Sequence, residues 1–384
     1  MVTSLIAIVL VLFIAVPWAR VSEGVIPTSA GRDPATWPFD ARSPWNHPIG
    51  SGAVFEPSRI PITGGYANIE FYGTPVYIAK PTDPLVKIYD RGPYYGDDWP
   101  KAGAVKGDFR GEIRIPLNAP PHWGADGILI VIDPEKAIAY EFYRVTYISP
   151  DGQHLGWHNG NWGYRSGELS TAKDAVVDLK GDGIRLYHMA GTDRTWISAH
   201  GGSLTGGVIR RGELKTGIPH AIRFVTRLNF LNRNSPLGYR YPTWPWNAHV
   251  WPASTSDNPT SYGAINNVYM GSLLAIPRSV SEDSLGLRTQ EGQMVFRALQ
   301  NYGGYIIDTG ETGQAGRLVT QVDPQARGEI ADVNLFNSDL GRIFRALQVV
   351  ANSHDNGAKP PWGPGGGGRT RRPLAPPFAQ QERR

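Results

Sequence analysis

Short runs of β-branched and aromatic residues, each closed off by Gly, Pro, Asp or Asn, recur along the first half of this chain and restrict its fold more than any other feature. Ile69–Tyr72, Pro75–Ile78, Leu85–Tyr89, Glu112–Ile115, Ile128–Asp133, Ala139–Ile148, Ala175–Asp178 and Gly183–Met189 all read as strands. ILIVID, PEKA and AYEFYRVTYI in succession predict a β-hairpin whose second strand alternates its faces. The 46 glycines and 32 prolines among 384 residues suit many short strands joined by irregular loops. Helical spacing enters only in the second half. Met294, Ala298 and Tyr302 recur at every fourth position within Thr289–Tyr302, with Gly303 as a stop. Ser338 is the expected N-cap of DLGRIFRALQVVANS, whose Leu340, Ile343, Phe344, Leu347 and Val350 form an apolar stripe. These signals predict a mainly β protein with a β-sandwich or β-barrel-like core and two helices in its C-terminal half.

The ends differ in character from the body. Residues 1–24 hold an apolar run from Leu5 to Trp18, at roughly 14 residues closer to a signal-peptide core than to a bilayer span of about 20. They read as a signal peptide or an uncleaved N-terminal membrane anchor, so the body is expected to work outside the cytoplasm. Residues 25–352 read as one β-rich catalytic or binding domain, with a Pro-rich strap at 25–60. Residues 353–384 are Gly/Pro-rich and carry six Lys/Arg against two Asp/Glu, which accounts for the whole net charge of +4. That tail is expected to be disordered. The basic balance is therefore no argument for nucleic acid, and the expected partner is a polysaccharide met by a monomer.

Exclusions narrow the chemistry. With no cysteine there is no disulfide framework, thiolate metal site or cysteine nucleophile. There is no GxxxxGK[ST] phosphate loop, no Rossmann glycine fingerprint in a βαβ setting, and no HExxH or GxSxG pattern. His154 and His158 have a helical metal-ligand spacing, but Gly152, Gly156 and Gly160 around them argue against a helix. No cofactor and no metal are expected.

Five segments gather polar groups among glycines and aromatics. Asp97 and Asp98 in YYGDDWP would suit Ca²⁺ or sugar hydroxyls, or simply a solvated turn. Glu141 in AYEFYRVTY shares a strand face with Tyr143, Val145 and Tyr147, as in a sugar subsite or a plain cross-strand ion pair. In GGVIRRGELKTGIPHAIRFVTR, parity sets Ile218, His220, Ile222 and Phe224 against Ala221, Arg223, Val225 and Arg227, with Glu213 in the preceding loop. Trp244, Trp246, His249, Trp251 and Asp257 crowd a Pro-rich loop that would make an aromatic platform for polysaccharide. Asp308 ends an apolar strand beside flexible glycines, where either a functional acid or a turn-capping one belongs.

The chain resembles a broad group of secreted, largely bacterial proteins. The shared landmarks are SPWNHPI (43–49), ILIVIDP (128–134) with YEFY (140–143), GGVIRRGELKTGIPHAIRF (206–224), VWPAS (250–254), MG (270–271) and RALQNYGGYIIDTG (297–310). The resemblance spans most of residues 40–310. It implies secretion and a shared site without naming a reaction, and it adds weight to Asp133, Glu141, Glu213, His220, Arg223 and Asp308.

The expectation is a secreted glycoside hydrolase in which two carboxyls flank the glycosidic oxygen. Glu213 and Asp308 are the leading pair, Glu141 the substitute, with Arg223, His249, Trp251, Asp257 and Asp133 placed to bind substrate. A polysaccharide lyase would instead use His220 or a tyrosine as base and Arg223 against a uronate carboxylate. A third alternative is a non-catalytic glycan-binding or cell-envelope protein.

Overall fold

The computed structural model describes residues 31–41, 43–60, 68–69, 74–91, 107–117, 119–122, 126–148, 154–155, 167–184, 197–234, 248–257, 259–310, 317–321 and 328–353. The 1–24 segment, the tail beyond Ser353, Asp97, Asp98, His158, Trp244 and Trp246 lie outside them. Among the described residues three sheets and two long helices stack in layers, so the expected mainly β, sandwich-like core with helices in the second half is what forms.

The first sheet runs in the order β1 (Phe55–Pro57), β16 (Gln348–Val350), β13 (Leu273–Ala275), β14 (Gly304–Thr309), β12 (Ile222–Thr226), β15 (Arg317–Leu318) and β2 (Asn68–Ile69). The middle sheet is β11 (Lys173–Asp178), β7 (Ile138–Tyr143), β6 (Leu129–Asp133) and β3 (Val76–Ile78). The outer sheet is β5 (Asp108–Arg114), β4 (Leu85–Asp90), β10 (Glu168–Thr171), β8 (Thr146–Ile148) and β9 (His154–Leu155).

Strand alternation explains the layering. On β13, Leu274 turns toward the helices while Leu273 and Ala275 turn toward the middle sheet. On β6, Ile130 and Ile132 meet the first sheet, whereas Leu129 and Val131 meet Val86, Ile88 and Leu169 of the outer sheet. A strand buried on both faces needs a continuous apolar run, and LIVI supplies it. The outer sheet shows the opposite habit: on β4, Val86 and Ile88 are buried while Leu85 and Lys87 face solvent.

Besides the short helices α1 (Glu213–Thr216) and α2 (Glu282–Leu285), two longer helices cover the free face of the first sheet. Helix α3 (Gln290–Asn301) starts at Thr289, whose side chain accepts from the Gly292 N–H, and lays Val295, Phe296 and Leu299 on the sheet. Helix α4 (Val333–Ala346) packs Phe336, Leu340, Ile343 and Phe344 there. Phe344 meets Phe224 of β12 edge to face at 5.1 Å, which adds about 0.5–1.5 kcal/mol beyond burial.

Several boundaries differ from the sequence reading. Helix α4 begins five residues before Ser338, because Asp332 accepts from the Asn334 and Leu335 N–H groups and so caps it. It ends at Ala346, and Gln348–Val350 pair with β1 and β13 as a strand instead of continuing the helix. The expected strand Ala139–Ile148 is two strands. Arg144 adopts φ 55°, and this left-handed residue turns the chain from the middle sheet into the outer one. Tyr143 therefore keeps company with Glu141, but Val145 and Tyr147 pack in the outer core. Among the described residues no helix is long and apolar enough to cross a membrane.

Candidate functional site

Residues 203–207 form the spine of a polar seam between the first and middle sheets. Glu141 points from β7 into this gap, wholly buried. Its carboxylate accepts from Ser203 Oγ at 2.6 Å, the Leu204 N–H at 2.8 Å and the Thr205 N–H at 2.7 Å. Burial raises its pKa above the ordinary carboxylate value, against those hydrogen bonds, which favour the charged form. From the opposite sheet Arg223 Nη1 donates to the Leu204 carbonyl at 3.0 Å, and its backbone N–H donates to the Gly207 carbonyl at 2.7 Å. Gly207 has φ 69°, and a Cβ there would come within 2.5 Å of the Arg223 nitrogen and of the Trp45 ring. Only glycine lets the loop lie this close to the strand.

Arg223 then reaches Asp308, with Nη2 3.6 Å from Oδ2. A β-bulge makes this contact. Phe224 pairs with Ile306, but Val225 pairs with Asp308, so Ile307 is one residue in excess on β14. Plain alternation would put Asp308 with Ile306 on the helix side. The extra residue turns it to the face of Arg223 and Val225.

Asp308 is one of three neighbouring acids. Thr309 links two of them: its N–H donates to Asp308 Oδ1 at 2.8 Å and its hydroxyl donates to Asp257 Oδ2. Asp257 also accepts from the hydroxyl of Tyr262, a fully buried residue. The third acid, Asp126, accepts from the Tyr143 hydroxyl at 3.1 Å. Burial pushes the Asp308 carboxyl up to about 7, helped by the charges of Asp126 and Asp257 and opposed by Arg223. The Asp308 side chain keeps 28% of its surface exposed. Around the rim, Arg144 and Lys173 lie 5.5 and 5.8 Å from the centre of the Tyr143 ring.

Glu213 and His220 pair with each other. Glu213 opens the short helix α1 (Glu213–Thr216), and its Oε2 accepts the Arg210 N–H at 2.6 Å and lies 3.2 Å from His220 Nε2. His220 Nδ1 is 2.8 Å from the Ala221 carbonyl, which can only accept, so that nitrogen carries a proton. Burial disfavours the charged ring, yet the Glu213 carboxylate outweighs it and the His220 pKa is raised. His220 precedes β12, so the parity that aligned it with Ile222 and Phe224 does not govern it. It lines a pocket with Trp37 and Trp45 instead.

The remaining expected residues scatter. His249 is buried and bridges Met270, and Trp251 is half-buried on the segment that delivers Asp257. Asp133 closes the β6–β7 turn, accepting from the Glu135 and Lys136 N–H groups and pairing with Lys136 Nζ at 2.9 Å. It lies across from Ile138, five residues and about 16 Å along the strand from Tyr143.

Sequence reading passed over Asp126, Thr309, Tyr262, Arg210 and His200. The last lies 2.9 Å from Ser198 Oγ, a contact that resembles a nucleophile and its base. Both are buried, Ser198 donates to the Gly202 carbonyl, and burial with the Arg223 charge lowers the His200 pKa to about 3. The pair is a core hydrogen bond. The glycine-dense stretch HGGSLTGG was the one sequence signal for this region, since close backbone approach needs glycine.

Among the described residues no three His, Asp or Glu side chains group so as to hold a metal ion. No protein-family model, no curated protein and no solved structure matches the chain.

Proposed function

We propose that the protein is a carbohydrate-active hydrolase, working outside the cytoplasm, in which Asp308 and Asp257 act as the carboxyl pair. The observation that carries this reading is Thr309, which hydrogen-bonds both acids at the partly exposed end of β14. Asp257 replaces Glu213 as the expected partner of Asp308, because the Glu213 carboxylate is engaged by His220 and the Arg210 N–H. Glu141, with three donors around it, holds the loop and takes no part in bond cleavage.

The roles follow from the surroundings. A carboxyl that keeps its proton to about pH 7 suits a general acid delivering that proton to the glycosidic oxygen. Asp257, held in place by the Tyr262 and Thr309 hydroxyls, is the carboxyl that would attack the sugar carbon or activate a water. Arg223 restrains Asp308 from the buried side. The apolar run at residues 5–18 supports export.

The test is incubation of the purified protein with plant, fungal and bacterial polysaccharides, measuring reducing ends. Asp308→Asn and Asp257→Asn should each lower turnover by about 10²–10⁴ while glycan binding persists. Unsaturated uronide products would assign elimination instead. Full turnover in Asp308→Asn, or binding with no turnover on any glycan, would sink the hydrolase reading.

A further inference from the structure

The pocket that His220 lines is bordered by Trp37, Trp45, Thr205, Gly207 and Arg210 as well. Its free space is that of about one water molecule or one monatomic ion, too small for a sugar or a carboxylate. Three of the lining residues carry a buried polar atom that no described group partners: Trp45 Nε1, Thr205 Oγ1 and Arg210 Nη2. All three residues are more than nine-tenths buried.

Their chemistry is one-sided. An indole N–H and a guanidinium N–H can only donate, and a threonine hydroxyl donates as readily as it accepts. A water here would receive hydrogen bonds but have few free acceptors, because the Pro38 and Phe39 carbonyls already accept from Arg32 and Asn46, and Asn46 Oδ1 accepts from Trp37. An anion needs donors alone. We propose that this pocket is a binding site for a monatomic anion, with chloride as its natural occupant and Trp45, Thr205 and Arg210 as its donors.

The surroundings support the charge. Burial lowers the Arg210 pKa to about 10, with Glu213 and Glu141 acting against that shift, so it remains a cation at neutral pH. The two nearby carboxylates are turned elsewhere, Glu213 to His220 and the Arg210 N–H, Glu141 to residues 203–205. The donor geometry is fixed in advance. Trp45 packs edge to face on His200 and Tyr305 at 6.4 and 5.5 Å, and a Cβ on Gly206 would come within 2.5 Å of Trp45 Nε1.

Two measurements on the full chain test the proposal. Crystals grown in bromide should show an anomalous peak within hydrogen-bond reach of Trp45 Nε1 and Arg210 Nη2. In solution, the melting temperature should rise saturably with sodium chloride or bromide beyond its value in sodium gluconate at equal ionic strength. Trp45→Phe keeps the ring and removes one donor, and Thr205→Val keeps the shape and removes another; each should raise the half-saturating halide concentration about tenfold. Superimposable chloride and gluconate curves, a bromide map without a peak, or an unchanged halide response in both variants would overturn the assignment.

Discussion

Replacing Asp308 with asparagine isolates the effect of holding one carboxyl where water reaches it poorly. The folded protein keeps that proton up to about pH 7, whereas an ordinary aspartate gives it up near 3.8. Between those values the native state binds more protons than the unfolded chain, so this residue makes stability fall as pH rises from about 4 to 8. At about 1.4 kcal/mol per pKa unit the full difference is about 4 kcal/mol. The 28% exposure of the side chain tempers it, giving a working range of about 2–4 kcal/mol. Asparagine has no proton to lose, so the stability of Asp308→Asn relative to the parent should improve by that amount across the same interval. Urea unfolding of both proteins at each pH step measures it, with equal m-values showing that the same surface unfolds. Other titrating groups, including the Glu213–His220 pair and Glu141, are present in both proteins and cancel in the difference. Parallel profiles would refute the reasoning. A variant that loses ground as pH rises would show that the Arg223 contact outweighs desolvation.

Three further outcomes follow from the same structure. Glu213→Gln should lower the His220 titration midpoint seen by NMR and cost about 3–5 kcal/mol. Because the folded His220 pKa is raised, that cost is fully present below about pH 6.5 and shrinks as pH climbs through the folded value. Glu141→Ala strands three buried donors, so it should destabilise by about 3 kcal/mol or more and speed amide exchange at Leu204 and Thr205. Asp332→Ala removes the cap of α4 and should cost about 1 kcal/mol in thermal unfolding, whereas Ser338→Ala should leave the helix start unchanged.

Local signals were readable where local physics decides. Parity along IRFVT assigned Arg223 and Val225 to one face and Ile222 and Phe224 to the other, and burial follows that division. Thr289 with the spacing after it gave α3 within a residue. The cap of α4 was misplaced because Ser338 and Asp332 are both good caps, and the earlier one leaves Phe336 free to join the helical core. Asp308 was visible as a strand-end acid, but its face depends on a bulge at Ile307 that comes from pairing with β12. Glu141 could not be read as a loop anchor, since its partners lie 62 to 64 residues away. The partnership of Asp257 with Asp308 runs through Thr309 across 52 residues, and no local pattern encodes it.

The loop at 203–207 also has a mechanical consequence. Two sheets held only by Ile, Val and Leu can slip past one another by small amounts, because dispersion contacts have little direction. Here Glu141 grips the Leu204 N–H from one sheet while Arg223 grips the Leu204 carbonyl from the other. Hydrogen bonds weaken steeply when bent, so one residue, Leu204, held through its N–H and its carbonyl, works as a rivet against shear between the two layers. Any opening that exposes Asp308 further must therefore come from the connecting loops, with the sheets serving as their fixed frame.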